Sequence, residues 1–500
     1  MKKIFLVFIA FFSVHLACGN AIWHWHKGNA FTASDLEILS MTGFSEIFIH
    51  AGYYYLFGRN GDRLPEFSGF EFDDGFTGLK ERFGNFNIHL CFTFESWGEG
   101  TFYRQYMLKN SGATEFILSV IDNQIKQFAA HGIAVKGIQL DLEDYEVSLS
   151  YYAKLLAAVK KRFPGYIISI TPMVRWLDEA KFKDILKSID FYVPMVYDFQ
   201  RGKNLDDDTR ITDIAWIESV VQKCELLKFP YYFGLPSYYY RIHYNDKEER
   251  VRSWTFVDFE EISDNKAFEL VKSRQNYVIG NEQLLNGDNI YIYKVKLPVF
   301  FKFYYFPENS YLLYNVITPQ GLKAYKDAVA GKKPKFSKGI CVFRFTKDSE
   351  PYLIKTSYYP FIFAGQSLVF EPTADFIFER PEEGGGLTFY TALKNAGNSE
   401  SYVENNATQF LIKMSNAKLK SIVKNSFDNY DHYFEEESST TYLTLTERFL
   451  GLNEELTSGP ITIENANTLP ISIKYQIWIK GPDGAFSGID LESWKEVDIK

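Results

Sequence analysis

From Ile22 to about Phe345 the chain alternates short apolar runs with amphipathic stretches. The apolar runs at Ile22–His26, Glu46–His50, Ile88–Phe94, Gly137–Leu142, Tyr166–Thr171, Phe191–Tyr197, Tyr231–Leu235 and Gly339–Phe345 have the length and residue types of strands. Between them, Thr114–His131 and Ser148–Phe163 are the clearest helices. In the second, Tyr152, Leu155, Leu156 and Val159 recur at helical spacing, and Pro164-Gly165 ends it. Eight strands with intervening helices predict an α/β fold, a (β/α)8 TIM barrel. The gap between the seventh and eighth strands is too long for a plain loop and holds strand-like runs at Asn289–Leu297 and Phe300–Tyr305. An inserted subdomain at about 240–335 is expected there.

After about Phe370 the helical periodicity stops. Leu387–Leu393, Gln409–Met414, Thr441–Leu445, Ile461–Glu464 and Ile471–Ile479 alternate polar and apolar residues, which predicts an antiparallel β-sandwich. Pro381-Glu-Glu-Gly-Gly-Gly386 reads as a turn or linker, and Lys394-Asn-Ala-Gly-Asn398 as a tight turn. The expected division is a leader over 1–21, the barrel over 22–365 and the sandwich over 370–500.

The leader is read from Lys2 and Lys3 followed by an apolar run, Ile4 to Phe12, and then Ala17-Cys18-Gly19. That run is too short for a stable membrane span. Cys18 after Leu16-Ala17 resembles a bacterial lipoprotein box, with His15 where an aliphatic residue is usual. Ordinary cleavage near Ala17 to Ala21 is the other reading. Both imply an exported protein, periplasmic, at the cell surface or secreted, that meets a membrane only through a lipid anchor. The formal charge of −9 argues against nucleic acid as a partner. Hydrophobic residues at 46% and charged residues at 23% are those of a globular protein. The cysteines beyond Cys18, namely Cys91, Cys224 and Cys341, are too few and too far apart for a disulfide framework and read as buried thiols. No zinc-like spacing appears, and neither a metal nor a cofactor is expected.

The stretch that carries chemistry is Lys136-Gly-Ile-Gln-Leu-Asp-Leu-Glu-Asp-Tyr145. With a period of two, Ile138, Leu140 and Leu142 take one face, and Gln139, Asp141 and Glu143 the other. Three polar side chains pointing one way from an aliphatic strand need a cavity, water or partners. Other polar or aromatic strand ends are Thr171-Pro-Met173, Met195-Val-Tyr-Asp198 and Gly234-Leu-Pro-Ser-Tyr238. In a (β/α)8 barrel the carboxyl ends of the strands form the site.

This ordered set resembles the family 18 glycoside hydrolases, the chitinase and endo-β-N-acetylglucosaminidase superfamily, over roughly Ile22 to Phe345. The family ends its fourth strand with Asp-x-x-Asp-x-Asp-x-Glu. Here that frame reads Lys136-x-x-Gln139-x-Asp141-x-Glu143, so the last two acids are kept and the first two are not. Met195-Val-Tyr197-Asp198 matches the family's sixth strand and Gly234-Leu-Pro-Ser-Tyr238 its seventh, and the insertion follows in the same place. Phe343 stands where the family commonly places a Trp under the sugar. A looser resemblance is to an uncharacterised bacterial group of related barrels.

The resemblance implies a glycan substrate containing N-acetylglucosamine and substrate-assisted retention. Glu143 is then the general acid and base, Asp141 orients the 2-acetamido group, and Tyr197 hydrogen-bonds it. Met195 and Asp198 line the same subsite. Gln139 can donate to Asp141 but cannot share a proton with it, so Asp141 is expected to stay ionised and the chemistry to be altered, slow or lost. A glycan-binding barrel without catalysis and a surface-assembly protein are the other expectations.

Further candidates are read from the residues alone. His24 and His26 share a face of the first strand, expected to be the barrel interior, either as ligand contacts or as hydrogen-bonded core residues. Trp23 and Trp25 then pack outward under helices. Tyr53-Tyr-Tyr55, Tyr238-Tyr-Tyr240 and Trp176 are sugar platforms or rim packing. Glu95, Trp97 and Glu99 rim a cleft or lie on a solvated loop. Asp206-Asp-Asp208 is a cation loop or a solvated turn.

Overall fold

The structure, a computed structural model, describes residues 19–499 except 27, 58–63, 96–100, 144–147, 254–257, 264, 281–282, 302–303, 348–349, 351–352, 370, 380–385, 453, 482–485 and 488–493. Residues 1–18 of the expected leader, with Cys18, and Trp97, Glu99, Asp144, Tyr145 and 381–385 of the expected linker lie outside the described residues. No described helix is long and apolar enough to cross a membrane.

In chain order the first unit has strands β1 (Asn20–His24), β2 (Phe44–Phe57), β3 (Leu64–Gly69), β4 (Asn87–Phe94), β5 (Val135–Asp141), β6 (Ile167–Ile170), β7 (Phe191–Tyr192) and β8 (Tyr231–Pro236). The insertion supplies β9 (Tyr239–Tyr244), β10 (Arg250–Arg252), β11 (Phe268–Gly280), β12 (Gln283–Val295), β13 (Val299–Phe301), β14 (Tyr304–Phe306) and β15 (Tyr311–Ile317), and β16 (Ser337–Phe343) returns to the first sheet. That sheet runs β1-β2-β4-β5-β6-β7-β8-β16 with every pair parallel, and β16 pairs β1 to close it. It is a (β/α)8 barrel. β3 is an addition the sequence did not suggest: it folds back antiparallel on the far half of β2, so Tyr53, Tyr54 and Tyr55 lie within a strand rather than after one. β7 is shorter than the expected Phe191–Tyr197, because Pro194 has no N–H for the ladder. Beyond it, Met195 makes single bridges to Met173 and Gly234.

Local chemistry sets the helices around the barrel. Thr32 and Asp35 form a reciprocal capping box at the start of Ala33–Met41. Ser148 caps Leu149–Arg162 by accepting from the Tyr151 N–H at 3.3 Å. Ala113–Ala130 buries Ile117, Ile121, Gln124 and Phe128 at helical spacing, a stripe facing the sheet. Inside the barrel, alternate strand residues Ala21, Trp23, Phe48, Phe191, Val193, Tyr232 and Cys341 pack into one buried cluster. The Phe48 and His89 rings lie 4.7 Å apart, and His89 fits because β5 offers Gly137: a Cβ there would collide with the imidazole.

Compact packing divides the chain differently from the expected boundary near 370. One unit is the barrel. The other joins 198–214, 237–328 and 346–500, so the insertion belongs with the sandwich. Within this second unit, β10-β9-β15-β12-β11 form an antiparallel sheet, and β13 pairs β14 as a separate hairpin. The remaining strands are β17 (Pro372–Glu379), β18 (Gly386–Asn395), β19 (Thr408–Ser415), β20 (Ala417–Ile422), β21 (Asn429–Glu435), β22 (Thr440–Glu447), β23 (Glu455–Thr457), β24 (Ile461–Asn465), β25 (Ser472–Lys480), β26 (Phe486–Ser487) and β27 (Lys495–Val497). They form two antiparallel sheets, β17-β18-β24-β20 and β21-β22-β19-β25-β26, facing across an apolar core. Tyr291 of the insertion lies 5.9 Å from Tyr402, and Leu353, Tyr402 and Val403 share the insertion's core cluster. Cys91, Cys224 and Cys341 are buried free thiols.

Candidate active site

The floor of the site is built from β1, β5 and β6. Trp23 Nε1 donates to Gln139 Oε1 at 2.6 Å, and Gln139 Nε2 donates to Ser169 Oγ at 3.3 Å. An indole N–H only donates, so this bond fixes which way the amide points. Gln139 therefore bonds Trp23 and Ser169, not Asp141 as the sequence suggested. The same bond corrects the first strand. Trp23 faces the barrel interior, so the alternation sends His24 outward, where it packs on Phe31 at 4.7 Å and accepts from the Ala30 N–H at 3.1 Å. His26 meets the Phe345 carbonyl at 3.1 Å and Arg344 at 3.3 Å. The indole wins the interior because it fills more of the barrel floor and finds an acceptor there.

One step toward the carboxyl ends, Asp141 is 2% exposed. Thr93 Oγ1 donates to its Oδ2 at 3.1 Å, and Thr171 Oγ1 donates to its Oδ1. Burial pushes the Asp141 carboxyl up to about 6, against the two hydroxyls that pull it down. Such a group is about nine-tenths ionised at pH 7 and about half protonated at pH 6.

Glu143 follows two residues beyond the end of β5, half-buried, and its charge acts together with that of Asp141 on Tyr53 and Cys91. Beside these acids stands Tyr53, placed by an irregularity in β2. The register shifts between His50 and Gly52, and Gly52 has φ +150°, a backbone conformation that favours glycine. After that bulge Tyr53 pairs with Thr93, and Thr93 pairs with Asp141. The Tyr53 hydroxyl is pushed up to about 12, first by burial and then by the charges of Glu95, Asp141 and Glu143. Three carboxylates thus converge near one phenol. Glu95 also accepts from the Leu56 N–H at 3.2 Å, which anchors it to the hairpin end of β2.

An aromatic wall completes the mouth of the barrel. Tyr197 stacks on Phe343 with ring centres 5.5 Å apart, Trp25 meets Phe343 edge-on at 5.4 Å, and Trp25 stacks on His50 at 4.3 Å. Phe343 is thus part of a cluster of rings rather than a lone platform. Trp25 and His50 were missed as site residues; the strand-one parity that puts Trp23 inside carries Trp25 with it. Met195 is buried on the interior side of the sixth barrel strand, in step with Phe191 and Val193.

Other candidates are used elsewhere. Trp176 is 3% exposed on the turn Val174–Asp178 and packs edge-on against Tyr152 of the outer helix at 6.0 Å, so it is not a rim platform. Tyr238 and Asp198 belong to the second unit. There the Tyr238 hydroxyl donates to Asp198 Oδ1 at 2.9 Å and Arg201 pairs with Asp198 Oδ2 at 2.8 Å, so Tyr238 is held in a bonded cluster. Asp206, Asp207 and Asp208 make a bonded turn: Asp207 Oδ2 accepts from the Lys203 and Asn204 N–H groups at 2.9 and 2.8 Å, and Asp206 pairs with Lys272 at 2.7 Å. Among the described residues no group of three His, Cys, Asp or Glu is placed to hold a metal.

The fold and site thus define a (β/α)8 barrel with a buried, hydroxyl-held carboxylate under an aromatic mouth. Residues 108–270 match a family described as a domain of unknown function, DUF3142. No curated protein matches the sequence. Among solved structures the chain is similar to the Bacillus cereus spore cortex-lytic enzyme SleL, at 14% identity over 69% of this chain and 73% of that one, TM-score 0.42. It is also similar to a chitinase from Chromobacterium violaceum, at 8% identity over 70% and 99% of the two chains, TM-score 0.40. A third is the family 18 chitinase ChiB of Flavobacterium johnsoniae, at 11% identity over 68% and 93%, TM-score 0.36.

Proposed function

We propose that this is an exported glycoside hydrolase that cleaves glycans containing N-acetylglucosamine, with the 2-acetamido group of the substrate as nucleophile. The observation that carries the reading is Asp141, buried between two hydroxyl donors, with the Glu143 charge acting beside it on Tyr53. In the first step the acetamido oxygen bonds the anomeric carbon as the glycosidic C–O bond breaks, and Glu143 gives its proton to the leaving oxygen. In the second, Glu143 takes a proton from the water that opens the cyclic intermediate. Asp141 holds the acetamido N–H and offsets the positive charge that develops on that group. Tyr197 bonds the acetamido oxygen, and the rings of Trp25, Tyr197 and Phe343 exclude water from the sugar.

A second reading is a glycan-binding barrel that no longer turns over. What favours it is Gln139, whose amide is committed to Trp23 and Ser169 and offers no carboxylate to share a proton with Asp141. Hydrolysis of a chitobiose-type reporter by the wild type, Glu143→Gln and Asp141→Asn separates the two. The hydrolase reading expects each substitution to cut turnover by about 10²- to 10⁴-fold. Equal background from all three proteins overturns it. Binding of the unhydrolysed sugar would then support the second reading, and its absence would remove both.

A further inference from the structure

The insertion carries a pocket of its own. One wall is the strand pair β9–β10, and the other is the hairpin β13–β14, with a cavity of about 270 Å³ between them. That is near the low end of small-ligand sites, enough for one ring-sized group rather than a chain. Its lining includes His243, Asp246, Val251, Arg252, Tyr304 and Tyr305.

These groups are paired in a way that leaves polar capacity unused. His243 and Arg252 are direct cross-strand partners in the β9–β10 register. His243 is 6% exposed, and its Nε2 has no hydrogen-bond partner among the described residues. A buried ring nitrogen left unpaired is costly unless something in the cavity meets it. The Arg252 guanidinium lies over the Tyr304 ring, 4.7 Å from its centre. It keeps a planar fork of N–H donors beside an aromatic face. Burial and the Arg252 charge hold the His243 imidazole down at about 4, so it is neutral at pH 7. Arg252 and Asp246 supply one charge of each sign. The hairpin adds outward-facing rings: Phe300 and Tyr305 are 75% and 52% exposed, with centres 5.3 Å apart.

The geometry points to a second binding site, in the insertion, for a single neutral pyranose residue of an oligosaccharide. A sugar ring has an apolar face that suits Tyr304 or Tyr305 and a rim of hydroxyls. Arg252 donates to that rim, Asp246 accepts from it, and His243 Nε2 meets one hydroxyl. A carboxylated ring fits less well, because Asp246 would oppose its charge. This site does not depend on the chemistry of the barrel.

The test is calorimetric titration of the full chain with chitotetraose, mannotetraose and maltotetraose as neutral probes and tetragalacturonate as the acidic one, alongside reporter hydrolysis. At least one neutral probe is expected to bind, about tenfold more weakly after Arg252→Ala or Tyr304→Ala. Tyr304→Phe keeps the ring and is expected to keep the affinity. Both Arg252→Ala and the exposed-ring variant Tyr305→Ala are expected to leave the hydrolysis rate where the wild type has it. The proposal falls if no neutral probe binds, if only tetragalacturonate binds, or if neutral binding is the same in Arg252→Ala and Tyr304→Ala as in the wild type.

Discussion

The sandwich core and the barrel core are built on opposite principles. The sandwich interior is apolar throughout its buried cluster: Phe410, Ile412 and Met414 of β19 face Phe389, Ile461 and Ile463 across the gap. The barrel interior is apolar only in part. It also encloses Glu46, His89, Gln139 and Asp141. Glu46 and His89 pair at 2.5 Å, and although burial pushes the Glu46 carboxyl up, the His89 bond and charge outweigh it and hold it below its ordinary value. Asp141 has no cation among the described residues to offset its burial and is left raised. Buried polar groups without full compensation cost stability, and those on the barrel floor mark where this core gives up stability for chemistry. The difference teaches where to look for function within this molecule.

Four measurements break or sharpen this contrast. The largest effects form a crossed pair. Phe410→Ala should cost the sandwich about 3–5 kcal/mol in denaturant unfolding and leave reporter turnover unchanged. Glu143→Gln should do the reverse, with turnover down by about a thousandfold and the unfolding midpoint kept. If Phe410→Ala abolished turnover, the cores would not be separable in this way.

Next is the pH dependence of Asp141. Its folded value of about 6 lies above the ordinary 3.8, so the folded barrel holds this proton more tightly than the unfolded chain does. Stability from this group is fully present below about pH 4, falls as pH rises to about 6, and is flat above. The gap corresponds to about 3 kcal/mol. Asp141→Asn should therefore lack that fall, as read by guanidinium unfolding at pH 4 and pH 7 followed by tryptophan fluorescence. Parallel pH slopes for the two proteins would contradict the burial argument.

The smallest effect concerns Gln139. Gln139→Leu leaves the buried Trp23 N–H without its acceptor and should cost about 1–3 kcal/mol. An unchanged midpoint would mean that the indole bond adds no stability.

Much of the fold was legible because it depends on local periodicity. The eight barrel strands, the two long helices, the insertion and five of the sandwich strands fall where the apolar pattern places them. Two of the strands that escaped have faces with no clear alternation. β21 reads Asn429-Tyr-Asp-His-Tyr-Phe-Glu435 and is mostly exposed, and β3 reads Leu64-Pro-Glu-Phe-Ser-Gly69 and pairs only at an edge. The site was legible as a strand but not as a room. Gln139, Asp141 and Glu143 could be set on one face, yet their partners come from other strands: Trp23, Thr93, Ser169, Thr171 and Tyr53. Trp176 misled because an aromatic residue after a strand end has the same local pattern whether it is displayed or packed.

By itself the sequence determined the repeating strand and helix order, the insertion point and the acids of the fifth strand in chain order. Those features follow from spacings of two and from three to four residues, which side-chain geometry imposes on any chain. Only the tertiary structure decided which face of β1 turns inward, that a bulge at Gly52 turns Tyr53 toward the acids, and that burial raises Asp141. Each of these is settled by contacts between residues distant in sequence, by competition for one closed volume and by the removal of water from it. No local pattern records the outcome of that competition.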